Sequence, residues 1–318
     1  MHFDVFNGDA DGIVALLQLR LAKPKKSVLV TGVKRDIALL KQVDVSLATS
    51  VTVLDISLEK NIDALLPILD NKIDTFYVDH HRSGEIPSSS YLKALINTDA
   101  NTCTSLLVND YLEGQFVLWA IVAAFGDNMK AAALTLAKAQ GLTVEQISNL
   151  EALGIYINYN GYGEKLADLH FPPAQLYKIL LNYADPLALI AEQDSVFYQL
   201  ESAYKEDMHN AQSANVLADN ETIAVYSLAD EAWARRVSGV FGNDLANKSP
   251  DKAHAVLTLN ADKTYTVSVR APLNNKQGAG DICSQFPTGG GRAAAAGINK
   301  LKQADVSRFI ETLHNYYL

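Results

Sequence analysis

With 318 residues, 48% of them hydrophobic and 20% charged, the chain is long enough for two cores and has the composition of an ordinary globular protein. Its net charge of −9 excludes a general nucleic-acid coat and a basic membrane-surface protein, although arginines and bound cations could still make one cleft attractive to an anion. No apolar run reaches the roughly 20 residues of a membrane span. The opening "MHFDVFNGDADG" lacks a basic segment followed by an apolar one, and Cys103 and Cys283 stand alone without a CxxC. A cytoplasmic protein is expected.

The first ~130 residues alternate by periodicity between strand and helix. "HFDVF" reads as a strand and "GIVALLQLRLA" as a helix; "SVLVTGV" and "RDIALLKQV" repeat the pair. "VTVLDI", a helix through "NIDALLPIL" and the strand of "TFYVDHH" follow. Nearly continuous apolar strands between helices predict a parallel sheet covered on both faces. From Thr102 to about Lys205 the chain reads as mostly helical, with breaks at "GDN", "NYNGYGE" and "FPP". From about residue 216 the strands "TIAVYSL", "AHAVLTLN" and "TYTVSVRAP" predict a smaller α/β unit, with the helix "EAWARRVSGVFGNDLAN" between the first two and "VSRFIETLHNYY" closing it. The expected organisation is α/β throughout. A parallel-sheet catalytic domain with a helical extension spans 1–190 and a helical or polar connector spans 191–215. A substrate-binding domain spans 216–318, and the active site lies in the cleft between the domains.

The ends of the predicted strands are unusual. "HFDVF" runs into Asn7-Gly8-Asp9-Ala10-Asp11-Gly12, "VTVL" into Asp55, "TFYV" into Asp79-His80-His81, and the helical "LWAIVAAF" into Gly126-Asp127-Asn128. Singly, each acid reads as a turn or helix cap. Ligands of an open parallel sheet bind at the carboxyl ends of its strands, so together these acids converge on one crevice. Crowded carboxylates raise one another's pKa values unless cations intervene. Oxygen and imidazole donors without thiolate suit Mn²⁺, and less well Mg²⁺ or Zn²⁺. So many acids exceed the needs of one ion, so two are expected, able to clamp a phosphoryl group and make water nucleophilic at neutral pH.

"NGDADG", "LDIS", "VDHH" and "GDN", in this order, resemble the DHH phosphoesterases, and "GGGRAAAAG" resembles the glycine motif of their associated C-terminal domain. The resemblance covers essentially the whole chain. It implies hydrolysis of phosphoric esters or anhydrides with paired Mn²⁺, as in RecJ-type exonucleases, nanoRNases, cyclic-dinucleotide phosphodiesterases and polyphosphatases. By this resemblance Asp9 holds one ion, Asp11 and His80 the other, Asp55 bridges and Asp127 completes the shell. Asp79 ligates or orients a ligand, and His81 faces the substrate phosphate, making these two the catalytic pair. Two departures stand out: Val5 and Asn7 occupy the place of a family histidine or acid, leaving at most the Asn7 amide oxygen as a ligand, and the glycine motif ends in Arg292 instead of His.

"PTGGGRAAAAG" reads as a phosphate clamp, with Gly289, Gly290 and Gly291 letting backbone amides approach an anion and the alanine run starting a helix. Arg292 and Arg270 would grip phosphate beside them. Tyr156, Tyr159 and Tyr162 are candidates for base stacking, against the plainer reading of core residues. The expected activity is Mn²⁺-dependent hydrolysis of short oligonucleotides, with Mg²⁺ as a substitute ion. An exopolyphosphatase and a non-catalytic phosphate-ligand binding protein are the alternatives. No duplex coat and no membrane are expected as partners, and a homodimer is left open.

Overall fold

A computed structural model describes residues 1–99 and 101–318. The chain divides into two units, Met1–Ser202 and Ala203–Leu318.

In the first unit β1 (His2–Phe6), α1 (Ala10–Ala22), β2 (Val28–Val30), β3 (Ser50–Leu54), α2 (Leu58–Asp70), β4 (Asp74–Asp79) and β5 (Leu92–Ile96) follow one another. The strands form one parallel sheet of order β2-β1-β3-β4-β5. All five residues of β1 are buried, as expected of an inner strand covered on both faces. The chain leaves β1 for β2 on one side and crosses back to β3 on the other, so the switch point of the sheet lies between β1 and β3. Register fixes what gathers there: Phe6 is level with Leu54, and Leu54 with Val78. Asn7, Asp55 and Asp79, each one residue further on, therefore leave the sheet in one row.

Two local expectations change. "RDIALLKQV" makes only a short 3₁₀ turn at Leu39–Gln42. Asn61 of α2 takes its backbone groups instead, accepting from the Leu40 N–H (3.3 Å) and donating to the Ile37 carbonyl (2.7 Å). The edge strand β5 is an addition to the predicted elements, one that no helix joins to β4.

The helical part comprises α3 (Thr104–Tyr111), α4 (Val117–Gly126), α5 (Lys130–Ala139), α6 (Val144–Gly161), α7 (Pro173–Leu180), α8 (Pro186–Ala191) and α9 (Val196–Ala211). A reciprocal Thr143–Gln146 capping box starts α6. Helices α1, α4 and α6 cross almost backbone to backbone. A Cβ at Gly154 would lie 2.1 Å from the Val122 carbonyl oxygen, and one at Gly126 would lie 2.5 Å from the Ala10 Cβ. This contact draws the end of α4, and hence Asp127, toward the start of α1.

The boundary between the units falls inside α9, so the predicted connector is largely this helix. The second unit continues with β6 (Asn215–Asp219), β7 (Ile223–Leu228), α10 (Ala232–Lys248), β8 (Ala253–Leu259), β9 (Tyr265–Arg270), α11 (Ala279–Cys283), β10 (Gly289–Gly291), β11 (Ala295–Leu301) and α12 (Val306–Tyr317). Its mixed sheet has the order β10-β11-β9-β8-β7-β6. The alanine run does not start a helix but forms β11, with Ala295 opposite Arg270 and Ala296 opposite Val269. Strand β9 supplies its hydrogen-bond partners, and Ile298 and Leu301 join Phe286 and Phe309 in the core. Tertiary context here overrides the helix propensity of alanine. Among the described residues no helix is long and apolar enough to cross a membrane.

Candidate metal centre

Asp9 is the N-cap of α1: its Oδ1 accepts from the Asp11 and Gly12 amides, each at 3.1 Å. In the first turn of the same helix, Asp11 reaches the start of α3, whose own N-cap Cys103 provides no side-chain bond. The Asp11 carboxylate accepts from the Thr104 N–H (2.8 Å) and the Ser105 N–H (2.7 Å), capping α3 from another helix. Thr104 also donates its hydroxyl to Asp55 Oδ1 at 3.1 Å. Asp55 sits at φ 59°, a left-handed conformation that a non-glycine residue adopts at some cost, and its backbone N–H is tied to the Val78 carbonyl at 3.0 Å.

His80 is the hub of the site. Its Nδ1 lies 3.0 Å from the Thr102 carbonyl, which can only accept, so Nδ1 carries the proton. In the neutral ring Nε2 is then the lone-pair nitrogen, and it faces Asp55 Oδ1 at 3.4 Å, Asp11 Oδ2 at 3.8 Å and Asp127 Oδ2 at 3.9 Å. An imidazole lone pair directed at three carboxylates is repulsive by itself, and either a proton on Nε2 or a divalent cation among them removes the repulsion. The backbone carbonyl behind His80 is the usual support of a ligating histidine.

Next to it, His81 Nδ1 lies 2.7 Å from Asp79 Oδ1, and its side chain is 38% exposed. Asp79 is fully buried, and its Oδ2 has no hydrogen-bond partner among the described residues. Oxygens of Asp55 and nitrogens of His80 and His81 lie within 4.8 Å of one another.

The electrostatics point the same way. Burial, then Asp11 and Asp9, push the Asp55 carboxyl well above the usual carboxylate range, against the opposing effect of His81. Asp4, buried in the same sheet, shows what pairing does. Burial opposes its charge, yet bonds from His2 and Arg20 bring its pKa down to about 2. For His81, burial disfavours the charged ring, but the bond to Asp79 and the nearby Asp55 raise its pKa overall.

Among the described residues Asp55, His80 and His81 bring their ligand atoms close enough to hold a metal ion, and Asp11 and Asp127 also face His80, so the hard oxygens and imidazoles suit Mn²⁺ or Mg²⁺. The surroundings of Asp9 are different. Its Oδ2 accepts from the Lys34 ammonium at 2.6 Å, and that ammonium also donates to Asn158 Oδ1 at 2.9 Å. Burial opposes the Asp9 charge, and Lys34 overcomes it, holding the carboxyl at about 2. Asn7, considered as a ligand, uses its amide to shape this loop: Oδ1 accepts from the Asp9 N–H at 3.2 Å and Nδ2 donates to the Lys34 carbonyl at 3.3 Å.

Other predicted contacts have local tasks. Tyr156 and Tyr159 are buried, bonded to Glu201 and His170, and belong to the core, whereas Tyr162 lies against the Lys34 ammonium. The Arg270 guanidinium donates to Asn243 (2.5 Å), Ser268 (3.0 Å) and the Val269 and Gly239 carbonyls, tying β9 to α10. Arg292 lies at the turn between β10 and β11, its N–H on the Ala295 carbonyl at 2.9 Å. A Cβ at Gly289 would lie 1.8 Å from the Cys283 carbonyl oxygen, while Gly290 faces open space. Sequence reasoning missed Thr104, Ser105, Asn158 and Lys34. The first two had a signal in "CTSLL", hydroxyls before an apolar run. Lys34 stands just beyond β2, at the same end of the sheet as the acids.

No protein-family model matches the chain, and no curated protein does. Solved structures do. A DHH domain described as a member of a family of ribosomal proteins aligns over 99% of this chain and 86% of its own, with a TM-score of 0.65 and 12% identity. The exonuclease RecJ bound to manganese aligns over 99% and 90%, with a TM-score of 0.61 and 16% identity. A pGpG-specific phosphodiesterase, PggH from Vibrio cholerae, aligns over 99% and 97%, with a TM-score of 0.53 and 12% identity. At such identities the likeness is one of architecture: the chain has the fold of the DHH-domain proteins.

Proposed function

We propose that the chain is a Mn²⁺-dependent phosphodiesterase acting on short oligonucleotides. The observation that carries this reading is the His80 Nε2 facing three carboxylates from three different segments, with the partly exposed His81 beside it. A divalent cation bound there supplies Lewis acidity toward a phosphoryl oxygen and toward water. The chain's own residues do the rest. Asp11 and Asp55 are positioned by the α3 amides and the Thr104 hydroxyl, so little reorganisation is needed when charge develops. Asp79 accepts a hydrogen bond from His81 Nδ1–H and so fixes its ring and favours its charged form, in which Nε2–H can donate to a phosphoryl oxygen. Arg292 and the open Gly290 are proposed contacts for further phosphates, and Arg270 a supporting one.

The fold neighbours named for RecJ and for a pGpG phosphodiesterase support phosphodiester chemistry. Polyphosphate is the second reading, favoured by a guanidinium at Arg292 beside glycines and by the burial of Tyr156 and Tyr159, which takes both rings away from a base. The deciding experiment gives the purified chain Mn²⁺ and, side by side, 5′-phosphorylated di- to pentanucleotides, a cyclic dinucleotide and polyphosphate. Mononucleotide release from the shortest oligonucleotides is expected. Phosphate release from polyphosphate alone would move the reading to the second, and nucleotide binding without turnover would make the chain a binding protein.

A further inference from the structure

Lys34 is built into the site. Its backbone N–H donates to the Gly161 carbonyl at 2.8 Å and its carbonyl accepts from Asn7, so the residue is pinned on both sides. Its ammonium, 23% exposed as a side chain, lies against Asp9 Oδ2 at 2.6 Å, Asn158 Oδ1 at 2.9 Å and the Tyr162 ring centroid at 5.2 Å, and Asp127 is near enough to favour its charge as well. Asn158 is itself buried. The other Asp9 oxygen already holds two amides. What sets Asp9 apart from Asp11, whose oxygens also accept amides, is the cation on its Oδ2, and Asn7 turns its amide oxygen to the Asp9 N–H. A second divalent ion on Asp9 would have to displace an ammonium held by several groups, or sit beside it against like charge.

We infer that Lys34 supplies the fixed positive charge on Asp9, so that the centre takes a single divalent cation, on Asp11, Asp55, His80 and Asp127, in place of the pair expected from the count of acids. The inference rests on the metal-centre reading above but is separable from it by counting ions. In such a mixed centre the ammonium does part of what a second ion would do: it neutralises Asp9 and leaves a positive group beside the divalent one, without exchanging into solution.

The test is the Mn²⁺ content of the full chain after exhaustive chelation and equilibrium dialysis against saturating Mn²⁺, by elemental analysis together with the electron paramagnetic resonance spectrum. The unmodified chain is expected to bind one ion, with the spectrum of an isolated Mn²⁺. Lys34→Met, which keeps the stem and removes the charge, is expected to bind two, with a spin-coupled spectrum, and Lys34→Gln serves should the first variant melt early. Two coupled ions in the unmodified chain would overturn the inference and leave the metal centre standing. One ion in a folded Lys34→Met or Lys34→Gln would overturn it too. No bound ion in any form would remove both readings.

Discussion

Asp55→Asn is expected to lower the turnover of a short oligonucleotide by about 10³-fold, the scale of losing a group that stabilises charge in the transition state, while raising the melting temperature of the metal-free chain. The two effects have one cause. Asp55 is 2% exposed, surrounded by Asp11, Asp9 and Asp79, and held in a left-handed conformation that asparagine adopts at least as readily. Its folded-state pKa is raised above the unfolded value, so its contribution to stability falls as pH rises above the usual carboxylate range near 4. The amide has no proton to lose. The stability gained by Asp55→Asn should therefore be present at neutral pH and vanish as pH falls through about 4, where the native carboxyl is protonated in both states. The Thr104 hydroxyl keeps an acceptor in the variant, so the comparison isolates the charge. Activity within tenfold of the unmodified chain, or a lower metal-free melting temperature at pH 7, would count against a charge kept for a cation.

Gly154→Ala is expected to destabilise the chain by about 2–3 kcal/mol, the range for forcing an extra methyl into close packing. For a unit of this size that corresponds to a fall of roughly 4–12 °C in melting temperature. The new Cβ would meet the Val122 carbonyl oxygen at 2.1 Å and cannot be relieved by turning a side chain, since the obstacle is backbone. Helix α4 must shift, and Asp127 follows directly on its last residue. Weakened Mn²⁺ affinity, by about 10- to 100-fold as for other supports of a metal site, should accompany the loss. A folded variant with unchanged melting and unchanged Mn²⁺ affinity would show that the helix crossing does not position Asp127.

Much of this arrangement was legible in the residues because it follows from periodicity and register. Buried apolar strands gave the parallel sheet, and Asn7, Asp55 and Asp79, just beyond Phe6, Leu54 and Val78, had to emerge in one row once those residues were level. Interactions between distant segments were not legible. That Asp11 would cap α3, or that an ammonium from beyond β2 would lie on Asp9, depends on helix packing that no local pattern encodes. The alanine run misled for a related reason: its propensity is helical, but β9 offered it a ladder and Ile298 a place in the core. The glycines before it are required in part by packing, since Gly289 touches the end of α11.

The central claim is that Asp11, Asp55, Asp127 and His80 are gathered to bind a divalent cation, and that phosphodiester hydrolysis depends on it. Titrating Mn²⁺ into the exhaustively chelated full chain, while following both thermal melting and cleavage of a 5′-phosphorylated dinucleotide, addresses it directly. At about 100 times the dissociation constant the stabilisation should approach ~2.7 kcal/mol, and cleavage should appear with the same midpoint. Melting that ignores Mn²⁺, together with cleavage undiminished after chelation, would contradict the account.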